Sequence, residues 1–277
     1  MSGSPPATAA SVPAIIVRQG LVSEGERAIP EEVPVAFSYS GSTHAVMMAT
    51  PDDLEDFAVG FSLTEGIVRS AVEIEAVDVV EAGNGLDLQI VLRQANAEAL
   101  SARRRQMAGP VGCGMCGIES IDQAMRVVPS VSAADLVLSL EDVTTATSAL
   151  QDQQRLNRRT RAVHGAGFYL PGQGMVAVRE DVGRHNALDK LIGAIALGGW
   201  QASAGAIVVT SRLSVEMVQK AAIAGSPVLI AISAPTTLAV RTASEAGMTL
   251  VAIARDEDCE VFTRPDRLNL KGISDVA

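Results

Sequence analysis

The second half of the chain alternates short aliphatic runs with amphipathic stretches. Residues 206–209, 227–232 and 249–254 are apolar runs, the pattern of strands buried on both faces. Between them, residues 214–224 and 236–246 carry apolar side chains at helical spacing, and Gly225 and Gly247 stand where helix-ending glycines belong. Repeated β-α-β units with short connections require parallel strands and right-handed crossovers. Upstream, residues 163–170 and 175–178 read as strands joined at Pro171-Gly172-Gln173-Gly174, and residues 142–158 as a helix. Leu188, Leu191, Ile192 and Ile195 form the apolar stripe of another helix. In the first half, residues 15–39 read as irregular strands with turns. Thr50 reads as an N-cap with Pro51 in the first turn. In the helix that follows, Leu54, Phe57, Ala58 and Phe61 share a face, and Gly66 ends it. Residues 74–81 and 86–93 flank Gly83-Asn84-Gly85 as a hairpin in which Leu86, Leu88, Ile90 and Leu92 alternate. Short helices over 97–105 and 119–126 bracket a glycine-rich loop.

This order predicts an α/β protein in three parts. Residues 1–14, rich in Ser, Pro and Ala, form a disordered tail. Residues 15–130 form an α+β part that ends in the glycine-rich loop. Residues 131–277 form an α/β domain with mostly parallel strands. The composition agrees: 48% of the 277 residues are hydrophobic and only 3% aromatic, so the core is aliphatic. The net charge of −10 argues against nucleic acid as a partner. Nothing in the sequence reads as a membrane span or a signal peptide, and three cysteines cannot build a disulfide framework. The expectation is a cytoplasmic protein with reduced thiols.

In an open parallel sheet, ligands bind at the carboxyl ends of the strands. That rule selects Thr210-Ser211-Arg212, Ser233-Ala234-Pro235-Thr236 and the stretch from Arg255 onward. Two of these lead into helix N-termini, which favour anions, and Arg212 and Arg255 add positive charge. The expectation is a pocket for a phosphate-bearing ligand; the plainer reading is ordinary caps and surface arginines. The run Arg179-Glu180-Asp181-Val182-Gly183-Arg184-His185-Asn186 is dense in polar side chains and sits between a strand and a helix. It reads either as a ligand-facing loop that includes His185 or as an acidic helix start, with Asp181 as cap and Arg184 as its partner. His44 and His164, beside apolar residues, read as hydrogen-bonded core or edge histidines.

The glycine-rich loop holds Cys113-Gly114-Met115-Cys116-Gly117. Glycine on each side frees the backbone and leaves the sulfur little to pack against, which suits chemistry at sulfur rather than a structural role. Arg103, Arg104 and Arg105, just upstream, favour a thiolate or bind an anion. A structural zinc site needs four ligands, and one C-x-x-C supplies two. A zinc deaminase needs H-x-E, but Val46, Ala166 and Ala187 occupy the second position after the three histidines. A redox pair usually opens a helix directly after a strand, whereas here a glycine loop comes first. Sulfur carriage on a mobile arm fits best, with metal binding and redox exchange as the other readings.

Five segments together closely resemble the formate dehydrogenase accessory sulfurtransferase family. They are TPDDLEDFAVGFSLTEGIV (50–68), CGMCG (113–117), REDVGRHNALDKLIG (179–193), SRLSVEMVQKA (211–221) and SAPTTLAV (233–240). The resemblance implies a cytidine-deaminase-like three-layer domain with an added N-terminal α+β part, and a homodimer. It implies a sulfurtransferase that takes persulfide sulfur from a cysteine desulfurase. That sulfur passes to the molybdenum (or tungsten) bis(molybdopterin guanine dinucleotide) cofactor, a bound substrate, before the cofactor enters formate dehydrogenase. No tightly held metal of the protein's own is implied. Cys113 matches the family's persulfide carrier and Cys116 an assisting thiol. The family's cofactor-binding run corresponds to Ile253, Ala254, Arg255, Asp256, Glu257 and Asp258; Arg255 matches, and the three acids depart from it. With Arg212, Ser233, Thr236 and His185 these make up the expected cofactor site. The alternative is a non-catalytic chaperone that binds the molybdenum cofactor.

Overall fold

The computed structural model describes residues 6–93, 128–255 and 257–270. Strands β1 (Ala9–Arg18) and β2 (Leu21–Pro30) form an antiparallel hairpin that turns at Gln19 and Gly20, at φ 52° and 80°. Two central residues at positive φ match the twist of paired strands. This corrects the expected tail: from Ala9, opposite Pro30, the chain is paired strand. The Ala, Ser and Pro composition of residues 9–14 hid the start of β1, while the strands expected over 15–39 are present as the rest of β1, β2 and β3.

Strands β3 (Val33–Tyr39), β4 (Ser42–Ala49), β5 (Ile74–Ala82) and β6 (Gly85–Leu92) form a sheet in the order β4-β3-β6-β5. Helix α1 (Leu54–Thr64) covers one face of it. The expected stripe is buried there with Leu86, Leu88, Ile90 and Leu92, and the Phe37 ring meets those of Phe57 and Phe61 at 4.9 and 4.1 Å. Thr50 is not the cap of α1. The N-cap is Asp53, held at φ 52° with no side-chain capping bond.

The larger part begins with β7 (Leu138–Ser139), α2 (Leu140–Gln153) and α3 (Arg155–Thr160). The single helix expected over 142–158 breaks at Gln154. Ser139 and Asp142 form a capping box on α2, and the Glu180 carboxylate accepts the N–H groups of Leu156 and Asn157 at 2.7 and 2.8 Å to start α3. There follow β8 (His164–Leu170), β9 (Gly174–Asp181), α4 (Arg184–Leu197), β10 (Ala206–Val209), α5 (Val215–Ala224), β11 (Val228–Ala231), α6 (Thr237–Ala246), β12 (Thr249–Arg255), β13 (Asp258–Thr263) and β14 (Leu268–Asn269). Gly225 and Gly247 end α5 and α6 at φ 87° and 68°.

Among the described residues, β13-β12-β11-β10-β8-β9 form one sheet. Within this sheet only β10 with β11 and β11 with β12 pair in parallel, against three antiparallel pairs, which corrects the expectation of mostly parallel strands. The connections from β8 to β9 and from β12 to β13 are too short for a crossover, so those pairs are antiparallel, and β10 also runs against β8. Alternate strand residues define the layers. Phe168, Ile207, Leu229 and Leu250 pack with α4, α5 and α6, while Tyr169, Val208, Ile230 and Val251 pack with α2. No helix among the described residues is long and apolar enough to cross a membrane.

Helix α1 joins the two parts by lying against α4. Their backbones meet at glycines. A Cβ on Gly60 would sit 1.7 Å from the Asp189 carbonyl oxygen, and one on Gly193 would sit 1.9 Å from that of Asp56. Such an approach is open to glycine alone.

Candidate functional site

The carboxyl ends of β10, β11 and β12, the end of β9 and the start of β8 open on one edge of the sheet. Helices α4, α5 and α6 all begin there. The edge therefore gathers Arg184 and His185 after β9, Arg212 after β10, Ser233 and Thr236 after β11, and Ile253, Ala254, Arg255, Glu257 and Asp258 around the end of β12. Asp256, Cys113 and Cys116 lie outside the described residues, as do Arg103, Arg104 and Arg105.

Main-chain bonds hold this rim. Leu213 N–H donates to the Ala234 carbonyl at 3.2 Å, and Thr236 N–H donates back to that of Leu213 at 2.9 Å. The loops after β10 and β11 are thus zipped together. Thr236 caps α6 by accepting from Ala239 N–H at 3.2 Å. The Ser233 carbonyl accepts from Ile253 N–H at 3.3 Å, and Arg255 Nε donates to the Ile232 carbonyl at 3.1 Å. Ile253 sits at φ 53°, within the bulge that turns β12 towards β13. The chain beyond Arg255 thus continues as a hairpin strand rather than ending the series at residue 254. Ala254 is buried, whereas the Arg212 and Arg255 side chains are exposed.

His185 spans the starts of α4 and α5: its Nε2 lies 2.9 Å from Glu216 Oε2. Burial depresses the imidazole against the upward pull of Glu216, with Arg184 and Lys220 adding to the depression. Burial, then Arg184, likewise depresses His164, which stands opposite Asp181. His44 sits on exposed β4 with its ring against Tyr39.

Asp181 is not the cap of α4, which is Gly183, and its partner is Lys190 rather than Arg184. The fully buried Asp181 carboxylate lies 2.7 Å from Lys190 Nζ and accepts from Thr50 N–H, Gly183 N–H and Asn186 Nδ2 at 3.0, 2.8 and 2.9 Å. Lys190 also donates to the Thr50 carbonyl at 2.8 Å. A second network joins Lys220 with Asp189, Thr64 and Glu65. Both networks run between the larger part and α1 or the residues flanking it, and so fix α4 and the histidine at its start. Sequence reasoning missed Thr50, Asp189, Lys190 and Lys220 in this role. The available signal was Asp189-Lys190 inside the apolar stripe of α4.

A family model described as the FdhD/NarQ family matches residues 30–269. A protein of Agrobacterium fabrum named "Sulfur carrier protein FdhD" is 65% identical over 254 residues, covering 92% of this chain and 94% of that one. Its namesake in Brucella abortus is 56% identical over 88% of this chain and 91% of that protein. A solved structure described as a formate dehydrogenase accessory protein from Desulfotalea psychrophila superposes with a TM-score of 0.75 at 26% identity, covering 95% of this chain and all of that one. By a family match over most of its length and by relatives of this identity, the chain belongs to the FdhD/NarQ family.

Proposed function

We propose that the chain is a sulfurtransferase that carries sulfur as a persulfide on Cys113. The thiolate of Cys113 attacks the terminal sulfur of a persulfide on a cysteine desulfurase. The new S–S bond forms as the donor's S–S bond breaks, and the donor cysteine leaves as thiolate. The acceptor is a molybdenum or tungsten bis(molybdopterin guanine dinucleotide) cofactor bound as substrate at the strand edge, which then enters formate dehydrogenase. Arg212 and Arg255 offer guanidinium groups to its phosphates, and the N-termini of α5 and α6 add main-chain donors. His185 stands at the start of α4 on this edge, its imidazole depressed by burial and its Nε2 beside Glu216. Cys116 assists as the second thiol. A cytoplasmic homodimer with a deaminase-like larger domain is part of the same reading, and the β-hairpin, helix and parallel β-α-β run support that domain type.

The observation that carries the proposal is the 65% identity across nearly the whole chain to a protein named a sulfur carrier, together with the C-x-x-C at 113–116. Mass spectrometry after incubation with a cysteine desulfurase and cysteine tests it. One added sulfur atom on Cys113, absent in Cys113→Ala, is the expected result. No added sulfur leaves the non-catalytic cofactor chaperone as the better reading.

A further inference from the structure

A cleft of about 500 Å³ lies along the outer strand β9, where the N-terminal part meets α3. One wall carries Arg155 and Arg159 of α3; the other carries Asp52 and Asp53, with Arg179 and Glu180 on the β9 floor. The acids are engaged within the protein. Glu180 accepts the two N–H groups that start α3, Asp53 lies 3.3 Å from Arg179 Nε, and Asp52 accepts from Asp53 N–H at 3.1 Å. Arg155 and Arg159 differ: both are exposed, and among the described residues neither has a hydrogen-bond or ion-pair partner. Arg158, Arg161 and Arg27 stand nearby, the last donating to the Thr160 carbonyl at 3.0 Å, so the α3 wall is rich in arginine.

Two unengaged guanidinium groups above a concave floor form a fork suited to phosphate oxygens. A cleft of this volume holds a ligand of nucleotide size. The strand-edge residues Arg212 and Arg255 follow β10 and β12, two and four strands from β9, or ~10 and ~19 Å at ~4.8 Å per strand. The cleft shares no lining residue with that edge. We propose that this cleft is a second anion site, taking a ligand that bears a phosphate group. The proposal goes beyond the sulfur-carrier reading and does not depend on it.

The test is calorimetric titration of the full chain with inorganic pyrophosphate at low ionic strength. It is done in an Arg212→Ala, Arg255→Ala background, so that binding at the strand edge does not contribute. Saturable binding is expected, weakened at least about tenfold by Arg155→Gln with Arg159→Gln. The corresponding pair of Lys substitutions should restore part of it, and unchanged circular dichroism should show that the fold is intact. Absence of saturable binding, or binding within about twofold of the background after the Gln substitutions, would overturn the proposal.

Discussion

The joint between α1 and α4 and the rim at the strand edge use charge in opposite ways. At the joint, Asp181, Lys190, Asp189 and Lys220 are buried and matched, each with several partners. At the rim, Arg212 and Arg255 face solvent and their loops are held by main-chain bonds instead. Burying a charge is costly unless geometry and hydrogen bonds are complete, so the joint tolerates one arrangement. An exposed guanidinium contributes little to the fold and stays available to a ligand. Charge at the joint fixes position; charge at the rim and in the cleft remains free to bind.

The contrast is broken most sharply at Lys190. Lys190→Met leaves the Asp181 carboxylate buried and unpaired, and should cost about 3–5 kcal/mol in urea unfolding. A loss below about 1 kcal/mol would mean that the joint is not held by this pair. Gly193→Ala comes next. Its methyl group meets a peptide oxygen, so α1 and α4 must separate, at about 1–3 kcal/mol or more by the same measurement. Arg255→Ala should change stability by less than about 1 kcal/mol, since one hydrogen bond to the Ile232 carbonyl is exposed. If the rim holds a nucleotide, the same variant should weaken binding of guanosine diphosphate about tenfold.

The smallest effect is the pH dependence at Asp53, which lies between the two regimes. Burial raises its carboxyl from 3.8 to about 6, against the opposing pull of Arg179. The native chain thus holds a proton that the unfolded chain releases at lower pH. The stability this lends is present below about pH 4 and is lost as the pH rises through about 6. Asp53→Asn removes that loss. The melting-temperature difference between variant and wild type should therefore move in the variant's favour from about pH 4 to about pH 7. A difference that stays level across this range would show that Asp53 titrates normally.

Much of the larger part could be read from the chain because its signals are local. The strands and helices from β10 to β12 follow from aliphatic runs, amphipathic spacing and the terminal glycines. The rim followed from their order alone. The joint could not be read in this way, because Thr50 meets Asp181 across 131 residues. The polar run 179–186 was visible, yet nothing local says that Asp181 turns inward to Lys190 rather than capping α4. Strand β13 was missed because the acidic stretch before it reads as a loop, and the start of β1 because its Ala, Ser and Pro residues read as a tail. The two thiols lie outside the described residues, so their chemistry rests on the loop sequence and on kinship.

The glycine crossing also limits how this protein can be altered. In most cores an oversized residue can be offset by trimming a neighbouring side chain. At Gly60 and Gly193 the obstruction is a peptide carbonyl, which every amino acid carries. No second substitution on the facing helix can make room. A suppressor screen against Gly60→Ala or Gly193→Ala should return reversions to glycine, or changes that strengthen the fold elsewhere, and none that repair the contact itself.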